Sequence, residues 1–145
     1  MSTGVLAGKR GLIMGVANDK SIAWGIAQSA AREGAELAFS YQGEVLEKRV
    51  RPLAEKVGAD MLTCDVTDDA SIDALFDTLE EKWGKLDFVV HAIGFSNKDE
   101  LKGEYLNTSR ENFALTMDIS VYSFTAVAQR AARMMNEGGS LVTLT

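Results

Sequence analysis

The sequence has few of the residues that mark disulfide-bonded, metal-binding or membrane proteins. Its 145 residues include one cysteine, one proline and one histidine. The lone Cys64 has no internal disulfide partner, and no H-x-x-x-H or C-x-x-C metal motif is present. No apolar run approaches the roughly 18 residues of a membrane span, and the first residues lack the basic and apolar segments of a secretory signal. These absences predict a protein of the reducing cytoplasm without a bound metal or a membrane span.

Positive charge is also scarce, which argues against a nucleic-acid partner. The sequence has 15 Lys and Arg against 21 Asp and Glu, for a net charge of -6. Basic residues between 44 and 56 alternate with glutamates, a pattern typical of a solvated helix face. With 46% hydrophobic and 25% charged residues, the composition is that of a folded globular protein, and the length suits one domain, 1–145.

Short apolar runs alternate with helical patterns along the chain. This alternation predicts a Rossmann-type, doubly wound α/β fold with a parallel sheet between helices. Right-handed crossovers give the strand order 3-2-1-4-5, and the apolar last strand predicts a sheet that is incomplete after strand five. The predicted strands are Arg10–Met14, Glu36–Tyr41, 60–64, 88–93 and, after a turn at Gly138 and Gly139, 140–145. The predicted helices are 21–33, Glu44–Val57 with a kink or restart at Pro52, Asp69–Trp83, and 108–135 with a break, capped by Thr108 and Glu111.

The turn after the first strand is a candidate phosphate loop. Gly15 lets the backbone turn sharply, Ser21 is placed to cap the helix that begins near Ile22, and the free amides at that helix start suit a dinucleotide pyrophosphate. The spacing departs from G-x-G-x-x-G because Ala17 occupies the second glycine position and residues 18–20 lengthen the turn. Taken alone, the loop leaves an ordinary strand-to-helix turn open.

Two further loops are predicted to meet this one at the crevice between strands one and four. They are 65–66 and 92–96, and their convergence strengthens the nucleotide interpretation. Gln42 follows strand two at the position where an acid that binds the ribose is expected. A glutamine can bond a ribose hydroxyl but does not repel a 2′-phosphate as a carboxylate would, so the residue is compatible with NAD or NADP. It is also compatible with a plain surface role. Asp65 is placed to accept a hydrogen bond from an adenine amino group or to cap the next helix, although Asp68 and Asp69 are better placed as caps.

The other polar residues of interest favour structural roles. His91 lies in an apolar strand, and Cys64 has no cationic neighbour in sequence, so both are interpreted as core residues. Asp118 and Ser120 either line the crevice or make buried polar contacts, and the second interpretation is favoured.

No tyrosine is suitably placed for catalysis. Many nicotinamide reductases use a tyrosine whose phenol pKa is lowered by a lysine. Only Tyr41 has a lysine at near-helical spacing, Lys48, and strand two carries it to the adenosine end of the crevice. Tyr105 and Tyr122 have no such lysine. The chain therefore has no predicted catalytic residue.

With these motifs in place, the sequence from residue 6 to residue 145 resembles the short-chain dehydrogenase/reductase superfamily. Within it, the resemblance is to the bacterial NADH-dependent enoyl-[acyl-carrier-protein] reductases of fatty-acid synthesis. The motifs that carry it are Gly15-Val-Ala-x-x-x-Ser21-Ile-Ala, residues 33–42 ending in Ser-Tyr-Gln, Cys64-Asp-Val, Asp69-Ala-Ser-Ile-Asp, His91-Ala-Ile-Gly-Phe95, and Asp118-Ile-Ser-x-Tyr-Ser-Phe124.

The resemblance implies a set of site residues and partners. The pyrophosphate would be held by Gly15, Ser21 and Ile22, and the adenosine ribose by Gln42 in an NADH-type contact. The adenine would lie between Asp65 and Val66. The rest of the cofactor would lie along Ile93 and Gly94. Ser96 would stand at the acyl-substrate pocket, where the family often has alanine. The substrate would be an enoyl group on acyl carrier protein, and the enzyme a homo-oligomer, usually a tetramer.

The family's Tyr-x6-Lys pair follows the fifth strand and is absent from this sequence. The resemblance therefore implies hydride transfer from NADH to an enoyl thioester in a longer parent enzyme, and we expect these 145 residues to be inactive alone. Two alternatives stay open, a carbonyl reductase of the same superfamily and a noncatalytic nucleotide-binding module.

Overall fold

Five parallel strands form the centre of the structure, a computed structural model in which residues 4–145 are described. The strands are β1 Arg10–Met14, β2 Glu36–Tyr41, β3 Asp60–Thr63, β4 Leu86–His91 and β5 Met135–Thr143. Each neighbouring pair is parallel and the order is β3-β2-β1-β4-β5. This confirms the predicted fold class and strand order.

Helices lie between the strands and on both faces of the sheet. They are α1 Ile22–Arg32, α2 Glu44–Val57, α3 Asp69–Trp83, α4 Arg110–Met117 and α5 Ser123–Ala131. The predicted break after β4 is a π-helical segment, Asp118–Tyr122, between α4 and α5, and two 3₁₀ turns, Lys98–Leu101 and Tyr105–Asn107, precede α4. Across the described part of the chain, 4–145, none of the helices is both long enough and apolar enough to pass through a bilayer.

One apolar core lies on each face of the sheet, because strand side chains alternate in direction. Leu12, Met14 and Val89 pack on one face with α3 and α5. Ile13 and Phe39 pack on the other with α1 and α2. β1 contributes to both cores, so the strand that leads into the candidate phosphate loop is packed on both of its faces.

Strand boundaries differ from prediction at three places, for tertiary reasons. β3 ends at Thr63, one residue early. β4 runs from Leu86 to His91 rather than over 88–93, because β1 turns away after the pair between Met14 and His91, while buried Leu86 pairs with Met135. β5 begins at Met135 and ends at Thr143, so the prediction of 140–145 is wrong.

The expected turn at Gly138 and Gly139 is instead a bulge within β5. Leu86 pairs with Met135 and Phe88 pairs with Ser140, so the residues between them bulge out opposite Asp87. Gly138 has φ +81°, and the Asn136 side-chain amide donates to Asp87 Oδ1 at 2.9 Å. Pairing with β4 therefore overrides the local turn preference.

The predicted cap of α4 is also wrong. Ser109, not Thr108, caps α4, since Ser109 Oγ accepts from the Asn112 amide at 3.1 Å while the Thr108 hydroxyl donates to the Tyr105 carbonyl at 2.6 Å. Glu111 thus lies one position short of a capping box. At Pro52, where a kink or a restart is predicted, α2 continues without a restart.

Candidate functional site

An open cleft of about 460 Å³ lies at the carboxyl ends of β1, β2, β3 and β4. This edge of the sheet is where the strand order reverses between β1 and β4, the usual ligand position in open α/β sheets. The cleft brings together six of the predicted site residues, Gly15, Gln42, Asp65, Val66, Ile93 and Gly94. The three predicted loops therefore converge as expected.

The three remaining predicted site residues do not line this cleft. Ile22 is 71% exposed and lines a larger groove beside α1. Ser96 lines a separate cavity of about 340 Å³ beside α4. Ser21 is half-buried and lies in the loop that borders Ala17, which does line the cleft.

Gly15 is required by the path of the backbone at the mouth of the cleft. Its φ is +107°, and a Cβ built on it would lie 1.9 Å from the Ala92 carbonyl oxygen. The Ala92 amide donates to the Met14 carbonyl at 2.9 Å, which fixes β4 against this turn. No side chain fits between the two segments, so the loop lies directly on the end of β4.

Ser21 shapes the loop rather than capping α1 through its side chain. Its backbone occupies the N-cap position, but its Oγ accepts from the Ala17 amide at 3.0 Å and the Asn18 amide at 3.1 Å. Ser21 is therefore the N-cap residue of α1, as predicted, but its side chain makes no capping bond. Because the hydroxyl is an acceptor twice, its own hydrogen stays available to an external acceptor. The Ile22 amide has no partner among residues 4–145.

Neighbouring groups orient Asp65 through one of its carboxylate oxygens, Oδ1, and their bonds do not use the other. Oδ1 accepts from the Thr67 amide at 2.9 Å and the Thr67 hydroxyl at 2.7 Å, while the Asp65 amide donates to Ser71 Oγ. The prediction that Asp68 caps the next helix is confirmed by its 3.0 Å bond from the Ala70 amide. Gln42 is exposed where β2 enters the cleft.

The π-helical segment holds the cleft wall at Gly94 and Phe95. Ser120 Oγ accepts from the Phe95 amide at 3.0 Å and donates to the Phe95 carbonyl at 3.2 Å. Ile119, next to it, lines the cleft. The polar-contact interpretation thus suits Ser120 but not Asp118, which is exposed.

Ser96 is tied to α4 by a polar cluster that sequence reasoning missed. Its Oγ accepts from Asn112 Nδ2 at 3.0 Å and from the Thr116 hydroxyl at 3.1 Å. Asn112 is buried, and its Oδ1 accepts from the Asn97 amide at 2.9 Å. The sequence offers no signal for this cluster, because the burial of Asn112 is seen only in the folded chain.

His91 and Cys64 are core residues, as predicted. Ser123 Oγ donates to the Ile119 carbonyl at 2.6 Å, so His91 Nε2–H donates to Ser123 Oγ and Nδ1 accepts from the Thr143 hydroxyl. Burial lowers the pKa of His91 and raises the pKa of the Cys64 thiol to about 11. Neither group is poised for proton transfer or nucleophilic attack near neutral pH. Among the described residues, no cluster of His, Cys, Asp or Glu is placed to hold a metal.

Comparison with known proteins gives a consistent result. The family model described as Enoyl-(Acyl carrier protein) reductase matches residues 15–145. Enoyl-[acyl-carrier-protein] reductase [NADH] 1 of Rhizobium meliloti (strain 1021) is 68% identical over 145 residues, which are 99% of this chain and 53% of that protein.

Solved structures agree with this match. FabI from Candidatus Liberibacter asiaticus is 57% identical with a TM-score of 0.95, over 100% of this chain and 56% of its own. The reductase of Anaplasma phagocytophilum, solved in complex with NAD, is 53% identical with a TM-score of 0.94, again over 100% and 56%. The chain spans about half the length of the relatives it matches.

Proposed function

Because the chain belongs to the enoyl-(acyl carrier protein) reductase family, we propose that it supplies the NADH-binding part of an enzyme that reduces enoyl thioesters on acyl carrier protein. The reaction belongs to cytoplasmic fatty-acid biosynthesis. The observation that carries the proposal is the cleft at the switch point of the sheet, where Gly15, Gln42, Asp65 and Gly94 meet. NADH supplies the hydride when bound, and the residues of this chain position it.

The pyrophosphate is held by dipoles and a hydroxyl at the start of α1. Gly15 brings the main chain close, the Ile22 amide is free to donate, and the Ser21 hydroxyl has a hydrogen to donate. No Lys or Arg is among the described residues that line the cleft. Helix-start amides therefore replace the cations that many phosphate sites use.

The adenosine half occupies the side of the cleft near β2 and β3. The free Asp65 oxygen accepts from the adenine amino group, buried Val66 packs against the base, and Gln42 bonds the ribose hydroxyls. A 2′-phosphate would meet a neutral amide and the Asp65 carboxylate, without a cation to pair with. This supports NADH over NADPH.

Ile93 and Gly94 lie along the rest of the cofactor, and the substrate lies beyond them. We propose that Ser96 meets the acyl substrate through its main chain, since its hydroxyl is bound to Asn112 and Thr116. Of the tyrosines, Tyr41 is at the adenosine side of the cleft, while Tyr105 is 81% and Tyr122 50% exposed outside it. With no phenol beside the nicotinamide, these residues alone bind the cofactor without turning it over.

Titration of the chain with NADH, ADP-ribose and nicotinamide mononucleotide tests this function. NADH and ADP-ribose are expected to bind with Kd values within about threefold of each other, because the adenosine and pyrophosphate contacts lie in this chain, while the mononucleotide binds far more weakly. NADH absorbance should stay constant when an enoyl thioester is added. Failure of the folded chain to bind either dinucleotide-type ligand would overturn the cofactor assignment, and NADH oxidation would overturn the expected inactivity.

An apolar face on α4 and the π segment supports an oligomeric parent enzyme. Phe113, Met117 and Val121 lie along this face, each about half exposed. We infer that this face packs against a second copy, in line with a tetramer. Light scattering should give a mass above the monomer that Val121→Lys reduces, while Val45→Lys, at a 65% exposed position of α2, leaves it unchanged. A monomeric wild-type chain at high concentration would contradict this.

A further inference from the structure

His91 is a fully buried polar side chain at the point where the core meets the cofactor cleft. It ends β4, and the residues that follow, 92–95, line the cleft. Its ring packs against Phe124 with centroids 5.4 Å apart. Both ring nitrogens are hydrogen-bonded, Nδ1 to Thr143 Oγ1 at 2.9 Å and Nε2 to Ser123 Oγ at 2.7 Å. The ring therefore joins β4 to the end of β5 and to the start of α5.

The hydrogen bonds of this ring run in one direction. The Ser123 hydroxyl donates to the Ile119 carbonyl at 2.6 Å, and a hydroxyl has one hydrogen to give, so the ring donates to Ser123 from Nε2–H. Nδ1 in turn accepts from the Thr143 hydroxyl. Among residues 4–145, Ser123 Oγ is the acceptor of the buried Nε2–H. Because a buried donor needs a partner, the ring and the serine hydroxyl fix each other's orientation.

Ser123 directly follows the π segment, Asp118–Tyr122, and bonds it twice. Its amide donates to the Asp118 carbonyl, five residues back, which is the π-helical pattern. Its hydroxyl donates to the Ile119 carbonyl, four residues back, which is the acceptor that an α-helical amide would use. The serine hydroxyl thus bonds the carbonyl that its amide passes over. Since His91 fixes this hydroxyl, the histidine helps to hold the π segment in its conformation.

The π segment supplies one wall of the cofactor cleft. Ile119 lines the cleft, and Ser120 Oγ bonds both the amide and the carbonyl of Phe95, another lining residue. We propose that His91 is a positioning residue for the cofactor, which acts through Ser123 to hold this wall in place. The inference rests on the proposed binding of NADH in the cleft. It gives the histidine a role in the site although its ring lies in the core and does not line the cleft.

Two amide substitutions of His91 test the proposal, because they differ in reach. Glutamine places a side-chain N–H near the position of the imidazole Nε2, whereas asparagine is one methylene shorter and does not reach Ser123. Both remove the ring and its contact with Phe124, so a purely structural role predicts similar effects. His91→Asn is expected to bind NADH about fivefold more weakly than His91→Gln, and Ser123→Ala about fivefold more weakly than the wild type.

Thr78→Val is the matched control for Ser123→Ala. It removes a hydroxyl that donates to the carbonyl four residues back, that of Ala74 at 3.0 Å, but on α3, which contributes no described residue to the cleft lining. NADH affinity should stay unchanged in this variant. Urea unfolding checks that every variant is folded.

Two further readouts do not depend on the cofactor. His91 is the single histidine of the sequence, so its imidazole ¹⁵N signals are readily assigned, and they should show the proton on Nε2. The Phe95 amide should exchange its hydrogen about fivefold faster in Ser123→Ala than in the wild type, with Thr78→Val unchanged.

A proton on Nδ1 would overturn the inference, and so would equal NADH affinity of folded His91→Asn and His91→Gln. Unchanged exchange at Phe95 in Ser123→Ala would overturn it even if neither histidine variant folds. A wild-type chain that fails to bind NADH, with exchange at Phe95 faster in Ser123→Ala, would overturn the proposed function while supporting the role of His91 in holding the cleft wall.

Discussion

Replacing Gly15 by alanine should distort the cofactor loop and destabilise the chain. The new Cβ would lie 1.9 Å from the Ala92 oxygen and 2.6 Å from its carbonyl carbon, about 1 Å closer than real Cβ contacts allow. The obstacle is backbone, and it is anchored, because the Ala92 amide bonds the Met14 carbonyl and the His91 carbonyl accepts from the Leu144 amide. Relief therefore requires a main-chain shift in β1 or β4.

The size of this effect follows from two contributions. Holding alanine at φ +107° costs about 1–2 kcal/mol. Moving the Ala92 peptide away weakens the 2.9 Å bond to Met14, which adds about 1 kcal/mol. A loss of about 2–3 kcal/mol is a large part of the 5–15 kcal/mol typical of a domain, and it shifts a urea midpoint by roughly 1–1.5 M.

Urea unfolding followed by tryptophan fluorescence measures this shift, since Trp24 and Trp83 are both buried. Gly25→Ala is the matched control: it lies inside α1 with no atom within 4 Å of a new Cβ, so it should stabilise the chain by about 0.5–1 kcal/mol. The two substitutions should thus move the midpoint in opposite directions. An unchanged midpoint for Gly15→Ala, or shifts of the same sign for both, would refute the reasoning.

Three further substitutions address single contacts. Burial lowers the pKa of His91, so the unfolded chain binds a proton that the native state does not, and the free energy of unfolding should fall as the pH drops through about 6.5. A urea midpoint that stays constant from pH 7.5 to 5.5 would contradict this. So would a His91→Gln variant whose urea midpoint depends on pH as strongly as that of the wild type. Ser120→Ala should weaken NADH binding about fivefold by releasing Phe95, with Ser120→Thr restoring it, and equal Kd values in calorimetry would exclude this role. Gln42→Arg should raise NADPH affinity about tenfold relative to NADH, whereas an unchanged ratio from paired titrations would remove Gln42 from the ribose site.

The sheet could be predicted from sequence because its buried strands are rich in apolar residues. Leu12, Ile13, Val89 and Val90 are each under 10% exposed, so β1 and β4 appear as continuous apolar runs. Once the strands are placed, the right-handed crossover rule leaves few orders, and the predicted one is confirmed. Local sequence and topology rules are sufficient at this level.

Features that depend on a particular pairing or hydrogen-bond partner could not be predicted in the same way. Gly138 belongs to a bulge only because Met135 and Ser140 both pair with β4. Ser21 turns its hydroxyl to the Ala17 amide, whereas its position before a helix favours a side-chain cap. The bulge depends on pairing with a strand far away in sequence, whereas the partners of Ser21 lie in its own loop and compete with the helix amides for its hydroxyl.

The candidate site lies between these two cases. Gly15, Gln42, Asp65 and Gly94 were predicted because each follows a strand, and parallel topology brings strand ends to one edge whatever their side chains are. For Ser120 the sequence leaves two roles open, lining the crevice or making polar contacts, and only the structure shows its bonds to Phe95, because residue periodicity does not reveal the π-helical segment. Where a cleft is formed chiefly by main-chain turns, the residues at those turns can therefore be predicted from the sequence. The contacts that hold the turns in place are seen only in the folded chain.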